Sequence, residues 1–128
     1  MKAEENNFDR LETMMTMQHK FQNKVGFNFE NMDLKERSQY IKEMMLWVDD
    51  EMKEALHELP FAKGWSKKYD SWDDEKLAVQ MDKFRKEMVD SFHFFMNILI
   101  AADMSAEMLF KEYLDKNKIN IDRQENGY

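Results

Sequence analysis

Cysteine is absent from the 128 residues, which excludes a disulfide framework and any thiolate metal site. Glycine occurs three times and proline once, so little interrupts a helix. No apolar run is long enough for a membrane. The longest, "FHFFMNILIAA", spans 11 residues against the roughly 20 that a crossing requires. The opening "MKAEENNFDR" shows no apolar segment of a secretory signal. Excess positive charge is lacking as well, because the formal net charge of −7 opposes a bare electrostatic grip on a nucleic-acid backbone. A cytoplasmic protein with no membrane and no nucleic-acid polymer as partner is the expectation. An acidic chain can still hold a polyphosphate when divalent ions stand between its carboxylates and the phosphates.

Charged residues make up 35% of the chain and Met alone counts 13, a balance suited to long helices. The length suits one domain, 1–128, without internal repeat. Apolar residues recur at helical spacing and strand-like alternation is missing. The pattern predicts an all-α bundle of four helices. The first runs roughly from 4 to 24 and stops near Gly26. The second follows the N-cap Asp33, with Glu36 as its capping-box partner, and carries a stripe of Ile41, Met45, Val48, Met52 and Leu56 up to Pro60. After the loop "PFAKGWSKKYDSW", the third begins near Asp73 and Asp74 and extends to about Ala102. Its stripe is Leu77, Met81, Phe84, Met88, Phe95 and Leu99. Ser105 caps a fourth helix, about 106 to 117, which leads into a polar tail over 115–128.

Glu51 and Glu54 on the second helix, and Glu87 and Asp90 on the third, are each spaced i, i+3 and therefore share a helical face. Both pairs lie on the same side of their stripes. If the two helices pack antiparallel, four carboxylates converge and repel unless a cation separates them. Hard, oxygen-seeking Mg²⁺ suits such a set. Acids beside an apolar stripe are equally the solvated flank of amphipathic helices. A third reading takes Glu54-x-x-His57 and Asp90-x-x-His93 as the Glu-x-x-His repeats of di-iron carboxylate bundles, with Glu12 and Glu107 or Glu112 completing the set. On the first helix, Gln18 and Gln22 fall in an apolar seam with Phe8, Leu11, Met15 and Val25. Amides placed there pair with another helix or read the edge of a base.

Three blocks resemble the dimeric, all-α type of dUTPase within the helical nucleoside-triphosphate pyrophosphatases that include the MazG-like enzymes. "DDEMKEALHELPFAKGWSK" is similar to an E-x-x-E helix entering a K-x-W-S turn, here Glu51, Glu54, Lys63, Trp65 and Ser66. "EMVDSFHFF" is similar to an E-x-x-D-x-x-H-F run, with Glu87, Asp90 and His93. "KNKINIDRQENGY" is similar to a closing K-x-x-x-N-x-x-R-Q-x-x-G-Y. Together the blocks cover most of residues 50 to 128.

The resemblance implies that Glu51, Glu54, Glu87 and Asp90 ligate Mg²⁺, with Glu51 a candidate general base, and that dUTP is hydrolysed to dUMP and pyrophosphate. It implies that Gln18, Gln22, Trp65 and His93 contact the nucleoside. Lys63, Lys116, Asn120, Arg123 and Gln124 would then contact phosphate or sugar, and the protein would be a homodimer. Lys86 stands where the family often has a further acid, and the spacer between Glu54 and Glu87 is longer than expected. Base preference therefore stays open between dUTP, dCTP and another deoxynucleotide.

Overall fold

The computed structural model describes residues 9–127, and these form four α-helices without a strand. Phe8 and Tyr128, invoked above, lie outside the described residues. Helix α1 spans Arg10–Lys24, α2 Leu34–Glu58, α3 Asp74–Ala101 and α4 Ala106–Glu125. One 3₁₀ turn, Phe29–Asn31, separates α1 from α2. Each helix begins at a side-chain cap, which satisfies a backbone donor that lacks an intrahelical partner. Asp33 accepts from the Glu36 N–H at 2.8 Å, and Glu36 returns the bond to the Asp33 N–H at 3.4 Å. Asp73 accepts from the Lys76 N–H at 2.8 Å and Ser105 from the Met108 N–H at 3.1 Å, the latter the cap that the sequence predicts. Asp9 caps α1, which starts at Arg10; the expected start near residue 4 lies outside the described residues.

Two helix ends close by the same device. After α1, Gly26 takes a positive φ of 108°, and Phe27 donates back to the Gln22 carbonyl at 2.9 Å. After α3, Asp103 takes φ 58° and Met104 donates to the Leu99 carbonyl at 2.9 Å. An aspartate tolerates this left-handed conformation better than most residues. Here it is also held by Arg37, whose guanidinium lies 2.6 Å from its carboxylate. The same guanidinium donates to the carbonyls of Phe29 at 2.6 Å and Ala101 at 3.2 Å. Arg37 thus ties the 3₁₀ turn, the start of α2 and the end of α3 into one corner. Beyond it α4 departs at 99° to α3.

Helices α2 and α3 run antiparallel, as their contacts demonstrate. Arg37 meets Ala101, Met44 meets Asn97, and Glu58 accepts from the Gln80 amide at 2.6 Å. Residue numbers rise on one helix as they fall on the other. The buried line of α2 is Tyr40, Met44 and Ala55, one position off the expected stripe, and Met45, Met52 and Leu56 are exposed. On α3, Gln80, Ser91, Asn97 and Ala101 are buried while Met88 and Phe95 are exposed. The displacement has a physical cause. Small residues at Ala55, Ser91 and Ala101 allow close approach, and buried amides find partners across the interface, so the contact line follows size and hydrogen bonding rather than hydrophobicity.

Helix α1 lies against α3, where Met15 is buried with Met96 and with Ala106 of α4. It also reaches α2, whose Tyr40 donates to Gln22 at 2.8 Å. Helix α4 runs to Glu125 rather than about 117, so the polar tail is helical, and residues 110–127 are all exposed. Among the described residues, no single helix is long and apolar enough to cross a membrane.

The corner is testable. Arg37→Met removes charge-assisted bonds from two carbonyls and should cost about 2–4 kcal/mol in urea unfolding. Asp103, with 80% of its side chain exposed, should lose less than about 1 kcal/mol as Asp103→Asn.

Candidate active site

The antiparallel register sets Glu51 of α2 opposite Glu87 and Asp90 of α3. One carboxylate oxygen from each lies within 4.8 Å of the others. Glu51 and Glu87 are half-buried and Asp90 is exposed. Burial raises the Glu51 carboxyl above its ordinary range, and the charges of Glu54, Glu87 and Asp90 add to the shift, as does a hydrogen bond to Glu87. Carboxylates this close repel one another, so the trio without a cation is frustrated. Glu54, one turn along α2, is exposed and outside the group of three, yet its charge is the largest acting on Glu51. The structure therefore gathers three of the four expected acids at short range and leaves Glu54 bordering them.

The donor set suits a hard divalent cation. It is all oxygen, and ligand atoms across an octahedral Mg²⁺ stand about 4.2 Å apart, so small side-chain rotations close the group. No histidine belongs to it. His57 of the di-iron reading is exposed and lines a different cavity, near the end of α2. Glu12 lines a cavity at the α3–α4 corner, and Glu107 and Glu112 are exposed on α4.

A cavity of about 390 Å³ opens beside the trio. Its lining is Glu51, Asp90, His93, Phe94 and Asn97 from α2 and α3, with Gln18, Phe21 and Gln22 from α1. Three of the sequence-predicted nucleoside residues, Gln18, Gln22 and His93, thus meet two of the acids in one volume. Gln18 donates to the Asn97 side-chain oxygen at 2.8 Å, and the carbonyl oxygen of Gln22 accepts from Tyr40. Gln18, Phe21 and His93 also line an apolar cleft of about 610 Å³ with Met14, Met17, Met88, Val89, Phe92 and Met96.

The other expected residues lie elsewhere. Lys63 lines a smaller cavity of about 190 Å³ with His57, Ser66 and Lys68. Trp65 is 83% exposed on the loop and lines none of these cavities. Lys116, Asn120, Arg123 and Gln124 lie on the outer part of α4 and none lines the cavity. Their spacing of i, i+4, i+7 and i+8 places them on one helical face. Asn97, Phe94 and Phe21 were not singled out from sequence. Asn97 had a signal: it is the amide inside the most apolar run of the chain, where an unpaired polar group is costly.

Two phage proteins share this stretch of sequence. One, a dCTP pyrophosphatase of Enterobacteria phage T4, is 33% identical over 104 residues, covering 70% of this chain and 61% of the relative. The other, a dCTP pyrophosphatase of Enterobacteria phage LZ5, is 41% identical over 70 residues, covering 52% of this chain and 41% of the relative. The chain is similar to phage dCTP pyrophosphatases. It spans less than two thirds of the length of either relative. No protein-family model matches it, and no solved structure gives a significant match.

The frustrated trio has a sign-definite consequence. Because the folded state holds the Glu51 proton more tightly than the unfolded state, cation-free stability should fall as pH rises from the ordinary carboxylate range through the raised Glu51 value. Glu51→Gln should flatten that fall and raise the cation-free Tm at neutral pH. It should also shrink the Tm increment produced by added Mg²⁺, all read by thermal denaturation with and without chelator.

Proposed function

We propose that the four helices act as one domain that hydrolyses a deoxynucleoside triphosphate to its monophosphate and pyrophosphate, with dCTP the preferred substrate. The observation that carries this reading is the convergence of Glu51, Glu87 and Asp90 beside a cavity lined with amides and aromatic rings. The names of the two phage relatives support dCTP over the dUTP that the family resemblance suggests. Hydrolysis of dUTP is the second reading.

In this reading Glu51, Glu87 and Asp90 hold Mg²⁺, with Glu54 adding negative charge at the margin. The ion, when bound, supplies a polarised water and offsets charge that builds on the phosphate oxygens. Glu51, which lines the cavity beside the other acids, takes the proton of the attacking water. Attack breaks the bond between the α- and β-phosphates, and pyrophosphate leaves. Gln18 and Gln22 hold the base, and His93, Phe94 and Phe21 wall the cavity against bulk water. Lys63 extends the phosphate track along the loop.

Lys116, Asn120, Arg123 and Gln124 share one exposed face of a helix that leaves α3 at 99°. We therefore assign this face to the phosphates bound by a second copy of the chain. A homodimer is supported by the apolar surface left uncovered: the cleft of Met14, Met17, Phe21, Met88 and Phe92, and the exposed Phe110, Tyr113, Leu114 and Ile121 of α4.

Purified protein with Mg²⁺ should release pyrophosphate fastest from dCTP when tested against each deoxynucleoside triphosphate. Glu54→Gln should cut turnover, and Asp90→Asn should abolish it, with helicity unchanged. No turnover of any nucleotide would remove the hydrolase reading. For the tail, Asp90→Asn and a chain truncated after Ile119 should each be inactive. Mixed and re-equilibrated, they should recover about a quarter of wild-type activity, because half of the dimers then carry one complete site. Absence of recovery would refute action across the dimer.

A further inference from the structure

The cavity beside the acids is lined by three amides, Gln18, Gln22 and Asn97, and the hydrogen bonds around the two glutamines give each a fixed polarity. Tyr40 is 5% exposed, and its hydroxyl has Gln22 as its hydrogen-bond partner. A buried hydroxyl with one partner must donate to it, so Gln22 turns its carbonyl to Tyr40 and is left with its NH₂ group for the cavity. Burial pushes the Tyr40 hydroxyl well above its ordinary pKa, with Glu43 second, which keeps it a donor.

Gln18 is fixed from the opposite side. Asn97 is 3% exposed and touches Gln18 on one side and the Met44 sulfur on the other. A thioether can only accept. Asn97 therefore directs its NH₂ to Met44 Sδ, at 3.7 Å, and its oxygen to Gln18, whose Nε2 donates at 2.8 Å. The reverse arrangement would press the Asn97 oxygen against a second acceptor. With its nitrogen held by Asn97, Gln18 keeps its carbonyl oxygen for a ligand. Of the two glutamines in the cavity, Gln22 thus offers a donor and Gln18 an acceptor.

We infer that Asn97 and Met44 are positioning residues that fix the Gln18 carbonyl toward the base and thereby make the pocket select cytosine over uracil. The inference rests on the proposed reading of this cavity as a nucleotide site. Cytosine and uracil share the acceptor O2, which the Gln22 NH₂ group can bind in either. They differ at position 4, where cytosine carries a donor amine and uracil an acceptor oxygen. Uracil placed identically would set its O4 against the Gln18 carbonyl, leaving two acceptors desolvated and unpaired. Accepting uracil would mean turning the Gln18 amide, which breaks its bond to Asn97 and forces Asn97 to turn against Met44.

Binding of the non-hydrolysable α,β-imido analogues of dCTP and dUTP tests this without relying on turnover. The wild-type protein with Mg²⁺ should bind the dCTP analogue about tenfold or more tightly than the dUTP analogue, the ratio that one mispaired buried group produces. Asn97→Leu should bring the ratio close to one, mainly by weakening the dCTP analogue. Met44→Leu conserves volume and so should keep the fold, yet it removes the acceptor that orients Asn97; the ratio should fall about threefold or more. Where turnover is measured, both variants should raise the KM for dCTP while holding kcat near wild type, because the acid trio is untouched. Equal wild-type affinity for the two analogues would overturn the inference. So would an unchanged ratio in folded Asn97→Leu or Met44→Leu protein, and so would failure of both analogues to bind. Discrimination in binding without any turnover would support the inference and defeat only the hydrolase reading.

Discussion

The contact between α2 and α3 is the constraint from which the rest follows. Its line passes through Ala55, Ser91 and Ala101, residues small enough for two long helices to close on one another, and through amides that bond across the gap. That register decides which acids meet. A slip of one helical turn would shift α2 by roughly 5.4 Å along its partner and would carry Glu51 away from Glu87. The acid trio and the interface are therefore one design: repulsion among the acids opposes the packing that the neighbouring small residues favour, and a cation held there would offset it.

Much of this was legible because it depends on short-range rules. The caps at Asp33 and Ser105 follow from a side-chain oxygen three positions before a backbone donor, and a sequence displays that directly. The pairing of Glu51 with Glu87 and Asp90 was readable from spacing once antiparallel packing was assumed. The stripes were legible in part: Ile41, Val48, Leu77, Met81, Phe84 and Leu99 are half-buried, whereas Met45, Met52 and Leu56 are as apolar and yet stand exposed. Hydrophobicity marks what must be covered, not what covers it.

The tail shows a different failure. Its polar residues suggest a terminus that follows no helix, whereas their positions on one face are a helical pattern in their own right. Polar composition masked the periodicity, since the usual signal is carried by apolar residues and here is carried by Lys116, Asn120, Arg123 and Gln124. Asn97 was overlooked for the converse reason. It lies within a run whose apolar neighbours dominate, although a single amide in such company needs partners and thereby marks a place where geometry is specified.

The Asp103 corner gives α4 a mechanical character. A 20-residue helix is about 30 Å long, and α4 is anchored near its first turn while the remainder stands clear of its own bundle. Such a rod is a lever whose fulcrum is the left-handed Asp103 and the guanidinium that grips it. A change of about ten degrees there would sweep the far end through about 5 Å, close to one helical turn. Residues remote from any nucleotide can in this way decide how far the cationic face reaches.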